Sequence, residues 1–178
     1  MKTLIKYKII GSFVILLLSV LVHFTYNFLE CDLTAIFFPV NESIFEHMKM
    51  LFTSYMLFTI IECFFYKKKK LEVNNIIFNG LVTSFICIFT FLLLFLPFYY
   101  RFGENMVYII SMEFVAIAVS QFVSYYILSH KDLKLRNVSI FLIIVAYVLF
   151  GYFTYNPVIN DFFFDPLNEK YGLNTYPL

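Results

Sequence analysis

The stretch NIIFNGLVTSFICIFTFLLLFLP, Asn75–Pro97, holds no charged side chain, and its reading decides the fold. At a rise of about 1.5 Å per residue, such a run crosses a hydrocarbon core of about 30 Å as one helix. Working outward, four more runs reach the roughly 20 mainly apolar residues that a span requires: Ile9–Leu29, Ser43–Tyr66, Met106–Leu128 and Val138–Tyr155. The chain has 178 residues, 61% of them hydrophobic and 14% charged. Soluble domains are about half apolar and about a quarter charged. The expected class is therefore all-α, an integral membrane bundle of five transmembrane helices.

Orientation follows from the basic residues. Lys2, Lys6 and Lys8 precede the first span, Lys67–Lys70 follow the second, and Lys131, Lys134 and Arg136 follow the fourth. Alternating spans put all three clusters on one side, which the positive-inside rule makes cytoplasmic. Glu30, Asp32, Glu104, Asp161, Asp165 and Glu169 fall on the other. The expected arrangement is a multi-pass protein of the cell (plasma) membrane, with its N-terminus inside and its C-terminus outside. Residues 1–155 form the helical domain, and 156–178 a tail packed on the bundle or its interface. The basic start and apolar run resemble a signal peptide, but the run is long and no small-x-small site follows, so it reads as a retained span. The basic residues flank spans, and the formal net charge of +1 carries no message about nucleic acid. Cys31, Cys63 and Cys87 share no metal or disulfide spacing.

Ionisable residues within spans are costly and persist where paired, hydrated or useful. Asn41-Glu42-Ser43-Ile44-Phe45-Glu46-His47-Met48-Lys49 concentrates them at the outer start of the second span. His23 near the outer end of the first span and Glu113 in the fourth lie at similar depth, about 10 Å inside by helical rise. Glu42, Glu46 and Lys49 follow i, i+4, i+7 spacing and share a predicted face, with Ser43 and His47 on the adjoining one. Ser12, Ser19, His23 and Asn27 form a stripe on the first span, and Glu113, Ser120, Gln121 and Ser124 one on the fourth. Both stripes are expected to face the bundle interior.

Bland readings stand beside the functional ones. Ser43-x-x-Glu46 is a capping box. Lys49 can snorkel or neutralise Glu46, Glu62 can snorkel toward the cytoplasmic lysines, and His23 can be a structural histidine. Glu113, in mid-helix, has no cap to serve. His23, His47 and Glu113 offer the ligand types that zinc accepts with one position open. An axial haem pair, a Ser43–His47 nucleophile pair and a proton relay through Glu46, His47 and Glu113 are further arrangements of the same groups.

The tail runs through Pro157, Asp165-Pro166 and Gly172, turn formers around the aromatic run Phe162-Phe163-Phe164. It reads as a lid over the outer site or as an interfacial anchor. The pattern Phe-Pro-Val-Asn-Glu-Ser-x-aromatic-Glu-His-x-Lys at 38–49, with a tail ending Tyr-Gly-Leu at 171–173, resembles an uncharacterised family of small bacterial multi-pass membrane proteins. Phe45 stands where members tend to carry Trp, and a second Pro after Pro157 is missing. The resemblance implies the topology and marks Asn41, Glu42, Ser43, Glu46, His47, Lys49 and Asp165 as signature positions; it supplies no substrate.

The leading expectation is an outward-facing polar cavity that binds a small or lipid-derived ligand. Glu46, His47 and Glu113 are the catalytic or titrating candidates, and His23, Asn41, Glu42, Ser43, Lys49 and Asp165 the ligand-binding ones. The alternatives are a membrane hydrolase or lipid-modifying enzyme, with zinc held by His23, His47 and Glu113, a small homo-oligomeric permease subunit, and a structural membrane protein. The topology is directly testable: alkaline phosphatase should be inactive when fused after Lys69 and active when fused after Gly172, and the reverse pattern would invert the orientation.

Overall fold

The computed structural model describes residues 2–103 and 105–173; Glu104 and the end of the predicted tail, 174–178, lie outside the described residues. Six helices follow in order: α1 (Lys2–Phe28), α2 (Asp32–Phe37), α3 (Ile44–Lys69), α4 (Ile76–Phe102), α5 (Met106–Ser129) and α6 (Arg136–Tyr155). All but α2 are long and apolar enough to cross a membrane. A two-residue antiparallel pair, β1 (Phe164–Asp165) and β2 (Lys170–Tyr171), closes the described tail.

The spans start and stop for local reasons. Helix α1 begins before the predicted Ile9, so the basic residue Lys8 lies inside it. Helix α4 runs through Pro97, where the predicted span ended, and stops at Gly103, whose φ of 75° suits a residue without a Cβ. In a long helix packed among others, neighbours absorb the hydrogen bond that the proline removes. Lys70, in the left-handed region at φ 51°, ends α3.

Four spans form a ring: α1 packs on α3 and α5, and α4 packs on the same two; α6 lies outside it against α4 and α2. Helix α3 is the most enclosed, with 61% of its most apolar stretch buried against 39% or less for the other spans. Along its outer two thirds it therefore has little lipid-facing surface, and Glu46, Lys49, Thr53, Ser54 and Thr59 are all buried. One large core joins Ile15, Leu51, Phe52, Tyr55, Ile88, Phe91 and Ile117, and a smaller cluster joins Leu4, Tyr66 and Leu128 at the end that carries the basic loops. That end is termed inner, and the end with α2 and the tail outer.

At the inner end Glu62 does not snorkel. It pairs with Lys8 Nζ at 2.5 Å and accepts a hydrogen bond from Tyr66 at 2.6 Å, with both charged residues buried. A carboxylate and an ammonium shielded from water hold their charge only by such mutual pairing. The inner loops are tied by Asn75, whose Oδ1 accepts from Leu133 N and whose Nδ2 donates to the carbonyls of Ile127 and Lys131.

Helices α3 and α4 meet closely at Gly80, where any Cβ would overlap the side chain of Thr59. Gly80→Val should lower the thermal unfolding midpoint of the detergent-solubilised protein, and Thr59→Ala added to it should restore part of the loss. A midpoint unchanged by Gly80→Val would show that this contact is not tight.

Candidate functional site

The segment 41–49 builds the outer end in three steps. Asn41 Oδ1 accepts from Ser43 N at 2.9 Å, which turns the chain, and Ser43 Oγ accepts from Glu46 N at 3.3 Å as the N-cap of α3. Only half of the expected capping box forms. Glu46 does not return to the cap; its Oε2 accepts instead from Val40 N at 3.1 Å.

Glu46 and Lys49 then close a buried network. Lys49, with no exposed surface, donates to Glu46 Oε2 at 2.6 Å, Thr154 Oγ1 at 2.7 Å and the carbonyl of Ala35 at 2.8 Å. Thr154 in turn donates to Glu46 Oε1 at 2.7 Å. All three ammonium donors and both carboxylate oxygens are engaged, which is the condition for a tolerable buried ion pair. Thr154 was not identified from sequence, since nothing in the α6 pattern distinguishes it.

Glu42 departs from the predicted shared face. It precedes the N-cap, so helical register does not govern it, and it reaches α1. Glu42 Oε1 lies 3.4 Å from His23 Nε2, and Oε2 lies 3.6 Å from His47 Nε2. The two imidazoles stand 5.7 Å apart at 36°. His23, Glu42 and His47 each present a ligand atom within 4.8 Å of the others, and their side chains are 22%, 30% and 23% exposed. The neighbouring His23 imidazole holds the Glu42 carboxyl below its ordinary value against partial burial.

His47 Nδ1 is 3.0 Å from the carbonyl of Ser43. A carbonyl only accepts, so Nδ1 carries hydrogen and Nε2 is the atom turned toward Glu42. Such a backbone partner orients a metal-binding histidine. In a tetrahedral site with bonds of about 2.1 Å, ligand atoms lie about 3.4 Å apart. The two histidines approach different oxygens of the Glu42 carboxylate, so the three groups lie within reach of one ion without yet forming that tetrahedral edge set. The donor set suits a zinc-type ion. The predicted third ligand, Glu113, is not in this group; it sits deeper, next to Ser19, with Oε1 lacking a hydrogen-bond partner among the described residues.

The remaining predicted residues support the site from outside. Asn41 Nδ2 donates to the carbonyl of Gly172 at 2.9 Å. Gly172 has φ 55°, and a Cβ there would overlap the Thr154 carbonyl, so the Tyr-Gly-Leu end needs its glycine. Asp165, fully buried, accepts from Leu167 N, Asn168 N and Asn168 Nδ2 and so folds the tail turn. Phe45 anchors that tail: its N–H donates to the Phe162 carbonyl, and its ring stacks on Phe163 at 4.6 Å.

Two cavities meet at the cluster. One, of about 130 Å³, is largely apolar and is walled by Phe91, Phe95 and Tyr99 from α4 and by Phe164 and Leu167 from the tail. The other, of about 220 Å³, is polar, with Asn27, Asn41, Asn168 and Lys170 in its walls. His23 and Glu42 line both.

Residues 1–173 match the model of a family of unknown function, DUF6512. The chain belongs to that family. No curated protein and no solved structure matches it. The family covers both the 41–49 segment and the tail that packs on it.

The network assigns Glu46 and Lys49 to architecture. Lys49→Met should cost about 3–5 kcal/mol, as expected when one partner of a buried pair is removed. Unfolding of the purified protein should show Glu46→Met/Lys49→Met losing less than the sum of the single variants; simple additivity would mean that the two charges are not coupled.

Proposed function

We propose that the protein binds a zinc-type divalent ion through His23, Glu42 and His47 and presents it to a small, lipid-derived amphiphile at the outer face of a bacterial plasma membrane. The observation that carries this reading is the position of His23 and Glu42 in the walls of both cavities. A ligand with an apolar tail fits among Phe91, Phe95 and Tyr99. Its polar head fits beside Asn27, Asn41 and Asn168, where the Lys170 ammonium favours an anionic group.

Three protein ligands with an open fourth position are the arrangement of catalytic rather than structural zinc. When bound, such an ion polarises a carbonyl or phosphoryl oxygen or lowers the pKa of its water, which is the chemistry of a membrane hydrolase or lipid-modifying enzyme. The chain's own contributions are distinct. Ser43 orients His47, the turn at Asn41 holds Glu42 toward α1, and the tail covers the apolar cavity. Metal binding is the reading favoured over a purely structural role, because two imidazoles and a carboxylate from separate segments converge within 4.8 Å where the two cavities meet.

Metal analysis of protein equilibrated with zinc and desalted should find about one ion per chain, as a single His₂-carboxylate site implies. His23→Ala and His47→Ala should lose it, whereas Glu113→Gln should keep it. Wild-type protein without stoichiometric metal, or an unchanged content in both histidine variants, would sink the proposal.

A further inference from the structure

A cavity of about 590 Å³ lies at the inner end, opposite the proposed metal site. It is a cleft between the inner end of α3, at Cys63, and the first turns of α4 and α6. Neither of those helix starts has a side-chain cap. Leu135, before α6, has no polar group to offer, and the Asn75 amide, before α4, is committed to the loop opposite. The first N–H groups of a helix have no partner within it and form its positive dipole end. Water would satisfy these two starts alone; the side chains around them select a ligand.

Lys134 and Arg136 line the cleft, and neither forms an ion pair among the described residues. Arg136 stands within electrostatic reach of Cys63 on α3, and Lys67 follows Cys63 by one turn on the same side of that helix. The acidic residue in the lining, Asp132, is turned back on its own loop, where Oδ1 accepts from Lys134 N at 2.9 Å. The cleft therefore carries net positive charge and suits an anion.

Its walls choose which anion. Val73, Ile77, Phe78 and Leu135 put apolar surface directly beside the charges. A free phosphate would cover the charges and leave that surface wet. A phospholipid sets its phosphodiester on the charges and its glycerol and upper chains against the apolar wall. Room for the chains lies below. Helix α6 meets α3 through Tyr147 and Phe150 on Phe52 and through Thr154 on Lys49, all in its outer half. On its inner half Phe141 and Ile144 are exposed, as are Ile60 and Phe64 on α3.

We propose that this cleft binds the phosphodiester headgroup of an anionic membrane phospholipid, held by Lys134, Arg136 and the starts of α4 and α6. The acyl chains lie along the inner half of α6, so the lipid ties this outboard helix to the ring. Basic pockets between spans at the cytoplasmic boundary recognise anionic headgroups on the same physical grounds. The site shares no residue with the proposed metal site and stands or falls without it.

The test takes the full chain in detergent and adds phosphatidylglycerol, phosphatidylcholine with the same chains, or inorganic phosphate. Native mass spectrometry should show wild-type protein holding phosphatidylglycerol more tightly than phosphatidylcholine. Phosphatidylglycerol should also raise the thermal unfolding midpoint, and inorganic phosphate should not. Lys134→Gln/Arg136→Gln should weaken phosphatidylglycerol binding about 30-fold, the contribution of two basic residues near a membrane surface. Lys68→Gln/Lys131→Gln removes two charges from the same inner loops but outside the cleft lining, and should leave most of the affinity. All four side chains are exposed, so both double variants should fold. Equal affinity for the two lipids, or equal losses in the two double variants, would overturn the proposal, since general attraction to a basic face would then suffice. A midpoint raised as far by inorganic phosphate would overturn the lipid assignment in favour of a free anion.

Discussion

The outer half of this protein depends on one constraint: irregular backbone at the membrane boundary must find hydrogen-bond partners within the protein. Between α1 and α3 the chain makes a six-residue helix, α2, and then an extended return to Ser43. The last carbonyls of a helix have no partner in the helix itself. Lys49 donates to the Ala35 carbonyl, Thr53 donates to the Phe37 carbonyl at 2.6 Å, and Glu46 accepts from Val40 N. A buried ammonium and carboxylate, which hydrocarbon disfavours, thus supply what α2 and its return lack. Charge also agrees with dipole, since the cation lies at the α2 C-terminus and the anion in the first turn of α3.

This lock has consequences farther out. Thr154 belongs to the same network, so the outer end of α6 is fixed to α3, and the tail leaves from a defined point. Gly172 packs back onto the Thr154 carbonyl and accepts from Asn41, so the tail returns to the segment where the lock begins. The walls of both outer cavities are therefore set by backbone satisfaction in the α2 region. Glu42 is free to turn toward α1 because Glu46 and Lys49 already meet the local needs of α3.

Much of this was legible in the sequence, but unevenly. Five apolar runs gave the five spans, because a bilayer makes length and hydrophobicity nearly sufficient. The similar depth of His23 and His47 was also readable from helical rise, whereas Glu113, expected level with them, sits deeper beside Ser19. Rotation was harder. Helical spacing put Glu42 with Glu46 and Lys49, yet Glu42 lies before the cap, where no helical register applies. The same problem exchanged Glu113 for Glu42 beside the histidines. Lys8–Glu62 and Thr154 were missed for another reason: a partner across the bundle leaves no trace in local spacing, and a lysine near a span end looks the same whether it snorkels or pairs.

The charged segment that looks anomalous in the sequence therefore divides by position on the helix. Glu46 and Lys49, three residues apart, turn inward and are buried, with all three ammonium donors and both carboxylate oxygens engaged. His47, between them in sequence, points to another side of α3, partly exposed and with Nε2 toward Glu42. One turn of helix cannot direct both sets to the same place, because each residue rotates about 100° from the last. A structural lock and a histidine-bearing face are thus compatible in nine residues because they occupy different sides of α3. The segment 41–49 need not be read as one site. Its glutamate–lysine pair holds the backbone, and its histidine and preceding glutamate face the cavities.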